Sequence, residues 1–358
     1  MKTRVIAVDR DKPDPQAIEE AAAALKAGQL VVFPTETVYG LGAHALDAHA
    51  VQKIFDAKER PANDPLIVHI AHIGQVNQCA TGMPAAARKL GLAFWAGPLT
   101  LILKKKPVVP DLVTAGLDSV ALRVPSHRVA RALMEMAGVP VAAPSANRFS
   151  RPSPTTAAHV LEDLDGRVDL ILDAGPTDIG LESTIVDFTT DPPVIRRPGG
   201  VTFEQVHSLV SEVVIAHAAN SGDQPQVAPG QLTRHYAPKA ELTLYEGAAD
   251  LVRVRVAADL RALTAAGDQV GLLAPEEDLS ALAPEVAARA AAGRIHSVPF
   301  GARADLERSG RELYAAIRAI DATGVAKILT IGVGTEGLAR AIHDRLMRAA
   351  DGRIRTVV

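Results

Sequence analysis

The sequence predicts an α/β protein built as two domains. Strand-like and helix-like segments alternate along most of the chain, which is the pattern of a sheet covered by helices. One polar, Pro- and Gly-rich stretch interrupts that alternation, and 358 residues exceed what a single core usually organises. The expected division is a larger domain over 1–215, a linker over 216–239 and a smaller domain over 240–358.

Residues 14–27 read as a helix, with Asp14 as cap, Pro15 in the first turn and Gly28 as stop. The run "LVVF" (30–33) is a strand that Pro34 ends, and "PTETVYGLG" after it reads as a polar loop. Helical spacing of Val51, Ile54 and Phe55 marks 50–58. A strand follows over 65–70, a helix over 84–94, and strands over 99–106 and 119–125. Gly138 closes a helix over 127–138. The stretch 139–147 is a strand running into a Pro-Ser-Asn turn, and Ser153 caps a helix to 164. "VDLILDAG", "STIVDF" and "PVIRRPGG" are further strands. Beyond the linker, "ELTLYEG", "QVGLLAP" and "KILTIGVG" are strands, and 303–321 is a helix with a stripe at Leu306, Leu313, Ile317 and Ile320.

Composition narrows the class. Apolar residues make up 48%, enough for real cores, while 38 basic against 41 acidic residues give a net charge of −3. That balance argues against a dedicated nucleic-acid or anionic-membrane binder. The lone Cys79 excludes an intrachain disulfide framework and a cysteine-rich zinc site. The N-terminus lacks the apolar core of a signal peptide, and no apolar run reaches the ~18 residues of a membrane span. A soluble cytoplasmic protein is expected.

Several polar groups gather where strands end. Lys58 and Arg60, two apart in "AKERPANDPLIVH", suit an extended stretch that projects both to one side as a phosphate clamp; taken in isolation, the spacing favours a solvated surface pair. His69 near a strand end is either a core histidine or a ligand. In "APSANRFSRPSP", Ser145, Asn147, Ser150 and Ser153 follow a strand, a setting that suits phosphate or carboxylate oxygens as well as a plain turn. Arg123 lies inside an apolar strand and needs an anion or carboxylate partner there. Glu182, Ser183 and Thr184 open a strand, and Arg196 and Arg197 close one. "GVGTEG" (332–337) has the form of a dinucleotide fingerprint, but the chain ends about 20 residues later, so it reads as a strand-to-helix turn in a Rossmann-like domain. There is no P-loop, no Gly-x-Ser-x-Gly elbow and no HExxH. The polar set describes a pocket that positions substrates and stabilises phosphate charge, not one with a covalent nucleophile.

Taken in order, "PTETVYGLGAHA", "AKERPANDPLIVH", "WAGPLTLIL", "VALRVPSH", "PVAAPSAN", "RPSPTTAAHV", "GLESTIVDF" and "IRRPGG" closely resemble the YrdC/Sua5 family. "APGQLTRHYAPKA" resembles the linker of its two-domain form and "GLARAIHDRLMRAA" the end of its C-terminal domain. The resemblance implies an N-terminal twisted, open α/β sheet with a deep cavity and a smaller Rossmann-like C-terminal domain. It also implies a nucleotidyltransferase that joins L-threonine, bicarbonate or CO2, and ATP with Mg²⁺ into threonylcarbamoyl-AMP and pyrophosphate. The product would pass to the threonylcarbamoyl-transferase complex that makes t6A at tRNA position 37.

By the same resemblance, Lys58, Arg60, Ser145 and Asn147 form a catalytic tetrad around the triphosphate. Asp64, Ser119, Ser153, Arg197 and His235 join them on ATP. Threonine sits against Thr35, His69, Arg123, the Ala143 backbone and Ser183, with Gly40 and Gly42 allowing close approach. No protein side chain is assigned to the metal. His235 and Tyr236 make the linker a lid. The chain departs from the pattern at Glu59, where many members have Gly, at Asp64, where many have Asn, and in the linker stretch "GQLTRHY". The C-terminal domain is expected to act on the lid, since no catalytic set follows residue 240. Two rivals remain at this stage. One is a hydrogenase-maturation carbamoyltransferase, disfavoured by the single cysteine. The other is an RNA-binding module using "LKKKPVVP", disfavoured by 3% aromatics.

Overall fold

A computed structural model describes residues 2–216 and 224–358. Part of the expected linker, 217–223, lies outside the described residues. The chain divides into two compact units, Met1–Phe149 with Ser153–Leu232, and Ser150–Pro152 with Thr233–Val358. The division therefore falls within the stretch read as linker, and residues 224–232 belong to the first unit.

The first unit carries β1 (Arg4–Ala7), β2 (Val31–Phe33), β3 (Gly40–His44), β4 (Ile67–His69), β5 (Leu99–Lys104), β6 (Ser119–Arg123), β7 (Val141–Ala142), β8 (Leu170–Asp173), β9 (Thr184–Asp187), β10 (Val194–Arg197) and β11 (Val214–Ile215). They form one mixed sheet in the order β1-β8-β2-β3-β7-β4-β6-β5-β9-β10-β11. One face packs on the helices Ala48–Lys58, Ala85–Phe94, Ala157–Leu164 and Phe203–Leu209, in a core that takes Val68, Leu101, Leu122 and Val186 from the strands. On the other face, the helices Pro15–Lys26 and Arg128–Ala137 cover Val31, Phe33 and Val141. Where that face continues over β4, β6, β5 and β9, its apolar residues Ile67, Ala121, Ile102 and Ile185 pack against Val227 and Ala228 instead. The covering helices stop short of these strands, and this half of the face holds the site.

Three expectations need correcting. "PTETVYGLG" is not all loop, because Gly40–His44 is β3, antiparallel to β2. A Cβ on Gly42 would sit 2.7 Å from the Phe33 ring and 3.0 Å from Val31 O, so this glycine makes room for its own core and not for a ligand. Ser153 does not cap a helix. Thr156 does, accepting from the His159 N–H, and the helix is Ala157–Leu164. Lys58 and Arg60 do not lie on an extended stretch. Lys58 is the last residue of its helix, and Arg60 N–H closes back on Phe55 O at 3.0 Å. This closure forces Glu59 to φ +55°, a left-handed position that glycine occupies at least cost.

The second unit holds β12 (Glu241–Gly247), β13 (Val270–Ala274), β14 (Ile295–Pro299), β15 (Lys327–Ile331) and β16 (Ile354–Val357), all parallel, in the order β14-β13-β15-β12-β16. Helices Ala249–Ala265, Glu276–Ala291, Leu306–Asp321 and Ala339–Ala350 connect them. "GVGTEG" is the turn from β15 into the last helix. Leu313, Ile317 and Ile320 are buried as the stripe requires, while Leu306 is only half-buried.

Candidate active site

Side chains alternate along a strand, so every second residue shares a face. On β6 that face carries Arg123, Ala121 and Ser119. On β5 it carries Thr100, Ile102 and Lys104, and on β4 it carries His69 and Ile67. The register sets His69 opposite Arg123 and Thr100 opposite Arg123 on the other side. Three bands result: a polar one through His69, Arg123 and Thr100, an apolar floor, and a second polar one at Ser119 and Lys104. Four residue steps separate Arg123 from Ser119, about 13 Å of strand.

The first band is buried and tightly bonded. Arg123 donates through Nη2 to Glu36 Oε1 at 2.6 Å and through Nε to Gly97 O at 3.3 Å. The second Glu36 oxygen accepts from Ser126 N–H at 3.0 Å. Thr100 Oγ1 and Ser183 Oγ lie 2.7 Å apart. Thr35 is buried and donates to Val38 O at 2.6 Å, which leaves its oxygen to accept from Thr37 N–H at 3.2 Å. Ala143 N–H is engaged with Ile67 O at 2.9 Å. Ser183 links this band to the cations, since Arg197 donates to Ser183 O through Nε at 3.2 Å and Nη2 at 3.0 Å.

Lys58 is buried and donates to Ser145 O at 2.6 Å and to Asn147 O. Arg60 donates to Asp64 O at 2.9 Å and Pro65 O at 2.7 Å, and its Nη2 lies 2.9 Å from the Asp64 carboxylate. Arg197 reaches Pro229 O at 3.2 Å. Ser153 Oγ donates to Glu182 Oε1 at 2.5 Å. The structure thus gathers Lys58, Arg60, Asp64, Ser145, Asn147, Ser153 and Arg197 with the threonine set in one unit. His235 falls in the second unit, edge-on to Tyr236 with ring centroids 4.0 Å apart, and Tyr236 in turn packs on Tyr314.

Residues 226–231 of the expected linker are built into this site. Gln226 N–H donates to Asn63 O at 2.8 Å, and Gln231 Nε2 donates to Arg196 O at 3.4 Å. Beside them a cavity of about 730 Å³ is lined by Leu103, Ser119, Asp187, Phe188, Arg196 and Val227, among others. It lies at the Ser119 end of the face and is within the size range of small-molecule sites.

Comparison with known proteins settles the family. Residues 23–199 match the model of the family described as telomere recombination (Sua5, yciO and yrdC), and residues 201–351 match the threonylcarbamoyl-AMP synthase C-terminal domain. The threonylcarbamoyl-AMP synthase of Pyrococcus abyssi is 43% identical over 347 residues, 96% of this chain and 97% of that one. The chain belongs to the YrdC/Sua5 family. The Bacillus subtilis threonylcarbamoyl-AMP synthase is 42% identical over 95% of this chain and 94% of its own. A crystal structure of Pyrococcus abyssi Sua5 complexed with L-threonine superposes with a TM-score of 0.89, at 42% identity and 99% coverage of both chains.

Two of the three departures read from the sequence, Glu59 and Asp64, now have a place. The Glu59 carboxylate points outward to Arg148 and Arg167, and its pairing with Arg148 holds its pKa below the usual range. It does not confront the clamp. Asp64 is fully buried, and burial pushes its carboxyl above the ordinary value against the pull of Arg60, Lys58 and Arg197. It is a counter-charge shared by three cations. Desolvation drives Lys58 well below its ordinary pKa, with Arg60 adding to the effect. Two residues escaped the sequence reading, Glu36 and Thr100. Glu36 stood inside a quoted motif, and the signal for Thr100 was a hydroxyl two residues from Ile102 in a strand.

His69 is buried edge-on to Phe33 in this YrdC/Sua5 site, and desolvation lowers its pKa to about 3. The unfolded chain takes up a proton below 6.5 that the folded chain refuses. Stability is therefore full above pH 6.5 and is lost as the pH falls from 6.5 towards 3, by roughly tenfold in the folding equilibrium per pH unit. Denaturant melts from pH 7 to 4 should show a shallower acid loss for His69→Leu than for wild type; parallel curves would refute it.

Proposed function

We infer that the chain is an L-threonylcarbamoyladenylate synthase, a nucleotidyltransferase acting on L-threonine, bicarbonate or CO2, and ATP. The observation that carries this reading is one path of neighbouring side chains, hydrogen-bonded at Ser183. Arg123 lies beside Thr100, Thr100 bonds Ser183, Ser183 bonds Arg197, and Arg197 acts with Arg60 and Lys58 on Asp64. A side chain suited to a carboxylate and a cluster suited to phosphate thus adjoin, which supports a reaction joining an amino acid to a nucleotide.

The amino group of threonine, once its ammonium proton has gone to solvent, attacks the carbon of CO2 (bicarbonate having first lost water). The N–C bond forms as one C=O π pair moves onto oxygen, and a second proton leaves nitrogen for solvent to give the carbamate anion. A carbamate oxygen then attacks the α-phosphorus, an O–P bond forms, and the bond to the β-phosphate breaks to release pyrophosphate. Arg123 holds the threonine carboxylate, while Thr35, His69, Ser183 and the Ala143 backbone shape the pocket around it. Lys58, Arg60 and Arg197 meet the charge that develops on the phosphates. Each is already pinned by main-chain carbonyls, so little reorganisation is needed at that moment. Ser145, Asn147 and Ser153 line the triphosphate, and the cavity at Ser119 suits the nucleoside end. Among the described residues no group of three His, Cys, Asp or Glu could hold a metal ion. Mg²⁺ would enter on the phosphates of ATP and neutralise them there. We propose that the product feeds a tRNA-modifying transferase in the cytoplasm.

The test is pyrophosphate release from Mg-ATP with and without L-threonine and bicarbonate. Wild type should require both. Arg60→Ala should lower the rate by about a hundredfold or more, the scale of losing one preorganised charge donor. Release that ignores threonine would overturn the reading.

A further inference from the structure

We propose that Glu36 is a positioning residue that makes Arg123 selective for the amino-acid carboxylate over phosphate. This rests on the reading of the pocket as a threonine site. Arg123 and Glu36 are both almost fully buried, at 4% exposure each. Glu36 accepts from Nη2 of Arg123 and Gly97 O from Nε–H, so it is the Nη1/Nη2 edge of the guanidinium that keeps unengaged hydrogens, both of those on Nη1 among them. That edge matches the spacing of two carboxylate oxygens. Without Glu36 the guanidinium would be held only by the long bond to Gly97 O.

The carboxylate is itself fixed. Its other oxygen accepts from Ser126 N–H, and its own main chain is tied down, since Ile179 N–H donates to Glu36 O at 2.8 Å and Gly180 N–H to Thr37 O at 3.1 Å. Glu36 therefore joins three segments, the loop after β2, the exit of β6 and the loop before β9, around one guanidinium.

Charge supplies the selectivity. Arg123 with Glu36 is a neutral pair, matched to a zwitterion of no net charge. Lys58, Arg60 and Arg197 all act on the buried carboxylate of Asp64, with Asp163 also facing Lys58. Each donates to main-chain carbonyls and not to a private carboxylate of the kind Glu36 gives Arg123, so that end is suited to a polyanion. Two anionic groups enter this pocket, a carboxylate and a triphosphate, and Glu36 sorts them by lowering the positive potential at the amino-acid end.

The experiment measures threonine-dependent pyrophosphate release by wild type, Glu36→Gln and Glu36→Asp. For Glu36→Gln the KM for L-threonine should rise about tenfold or more, the scale of one charged hydrogen bond, while the KM for ATP stays within about twofold. Inorganic phosphate should become a competitor of threonine in that variant and not in wild type. Glu36→Asp keeps the charge and should recover part of the threonine affinity, which also serves if Glu36→Gln melts too early to assay. An unchanged threonine KM, an equal rise for both substrates, or no gain from Glu36→Asp would overturn the inference. A wild-type protein with no threonine dependence would instead sink the functional reading beneath it.

Discussion

Gly199→Ala should abolish threonine-dependent pyrophosphate release and destabilise the first unit together. A Cβ at position 199 would stand 2.3 Å from Glu182 O and 2.5 Å from both Ser183 C and Thr184 N. All three atoms are main chain, so no rotamer change relieves the clash. The segment that must move carries Ser183, which Arg197 grips through its carbonyl and which Thr100 meets through its hydroxyl. Overpacking of this kind costs about 1–3 kcal/mol or more, and the displaced Ser183 breaks the path between the carboxylate fork and the clamp. Thermal melts and release assays run side by side check both halves. Gly332→Ala is the control, because its nearest neighbour would lie at 3.6 Å, an ordinary contact. A Gly199→Ala protein that melts and turns over like wild type would show that this close approach is dispensable.

Arg123→Met is the second large effect. It removes the fork and leaves the Glu36 carboxylate buried with only the Ser126 N–H. Removing one partner of a buried ion pair costs about 3–5 kcal/mol, because the stranded charge is uncompensated. The double variant Arg123→Met, Glu36→Gln has no stranded charge, and replacing both members of such a pair is often close to neutral. Denaturant melts should therefore show a severe loss for the single variant and a substantial recovery for the double. Activity should not follow that recovery, since neither protein can hold the threonine carboxylate. Activity that did return with stability would remove Arg123 from substrate binding and leave it a purely structural residue.

Much of this was legible in the sequence, for identifiable reasons. Arg123 flanked by Leu122 and Val124 demanded a partner on burial grounds alone, and the structure supplies Glu36. The polar ends of β6, Ser119 and Arg123 on one side of the alternation with Val120 and Leu122 on the other, were visible in one dimension. What it could not show was which strands lie side by side, so neither the three bands nor the pairing of Thr100 with Ser183 could be read. Local ambiguity hid other elements. "VRVRV" in Ala249–Ala265 alternates like a strand, yet Val252, Val256 and Leu260 are buried at helical spacing. Pro284 inside Glu276–Ala291 reads as a breaker and is not one. The strand character of Gly40–His44 was masked by two glycines whose reason lies in Phe33, a neighbour only through pairing. Lys58 and Arg60 were found by type, but their geometry came from a helix closure that Glu59 adopts without a glycine's ease.

The pocket is written in odd and even numbers. In β6, Ser119, Ala121 and Arg123 share the face of the candidate site while Val120 and Leu122 belong to the opposite core, and β4, β5 and β9 obey the same rule. Deleting one residue from any of these strands would exchange the two sets, carrying a guanidinium into the oil and a leucine into the pocket. A lost codon there is therefore a graver lesion than most missense changes.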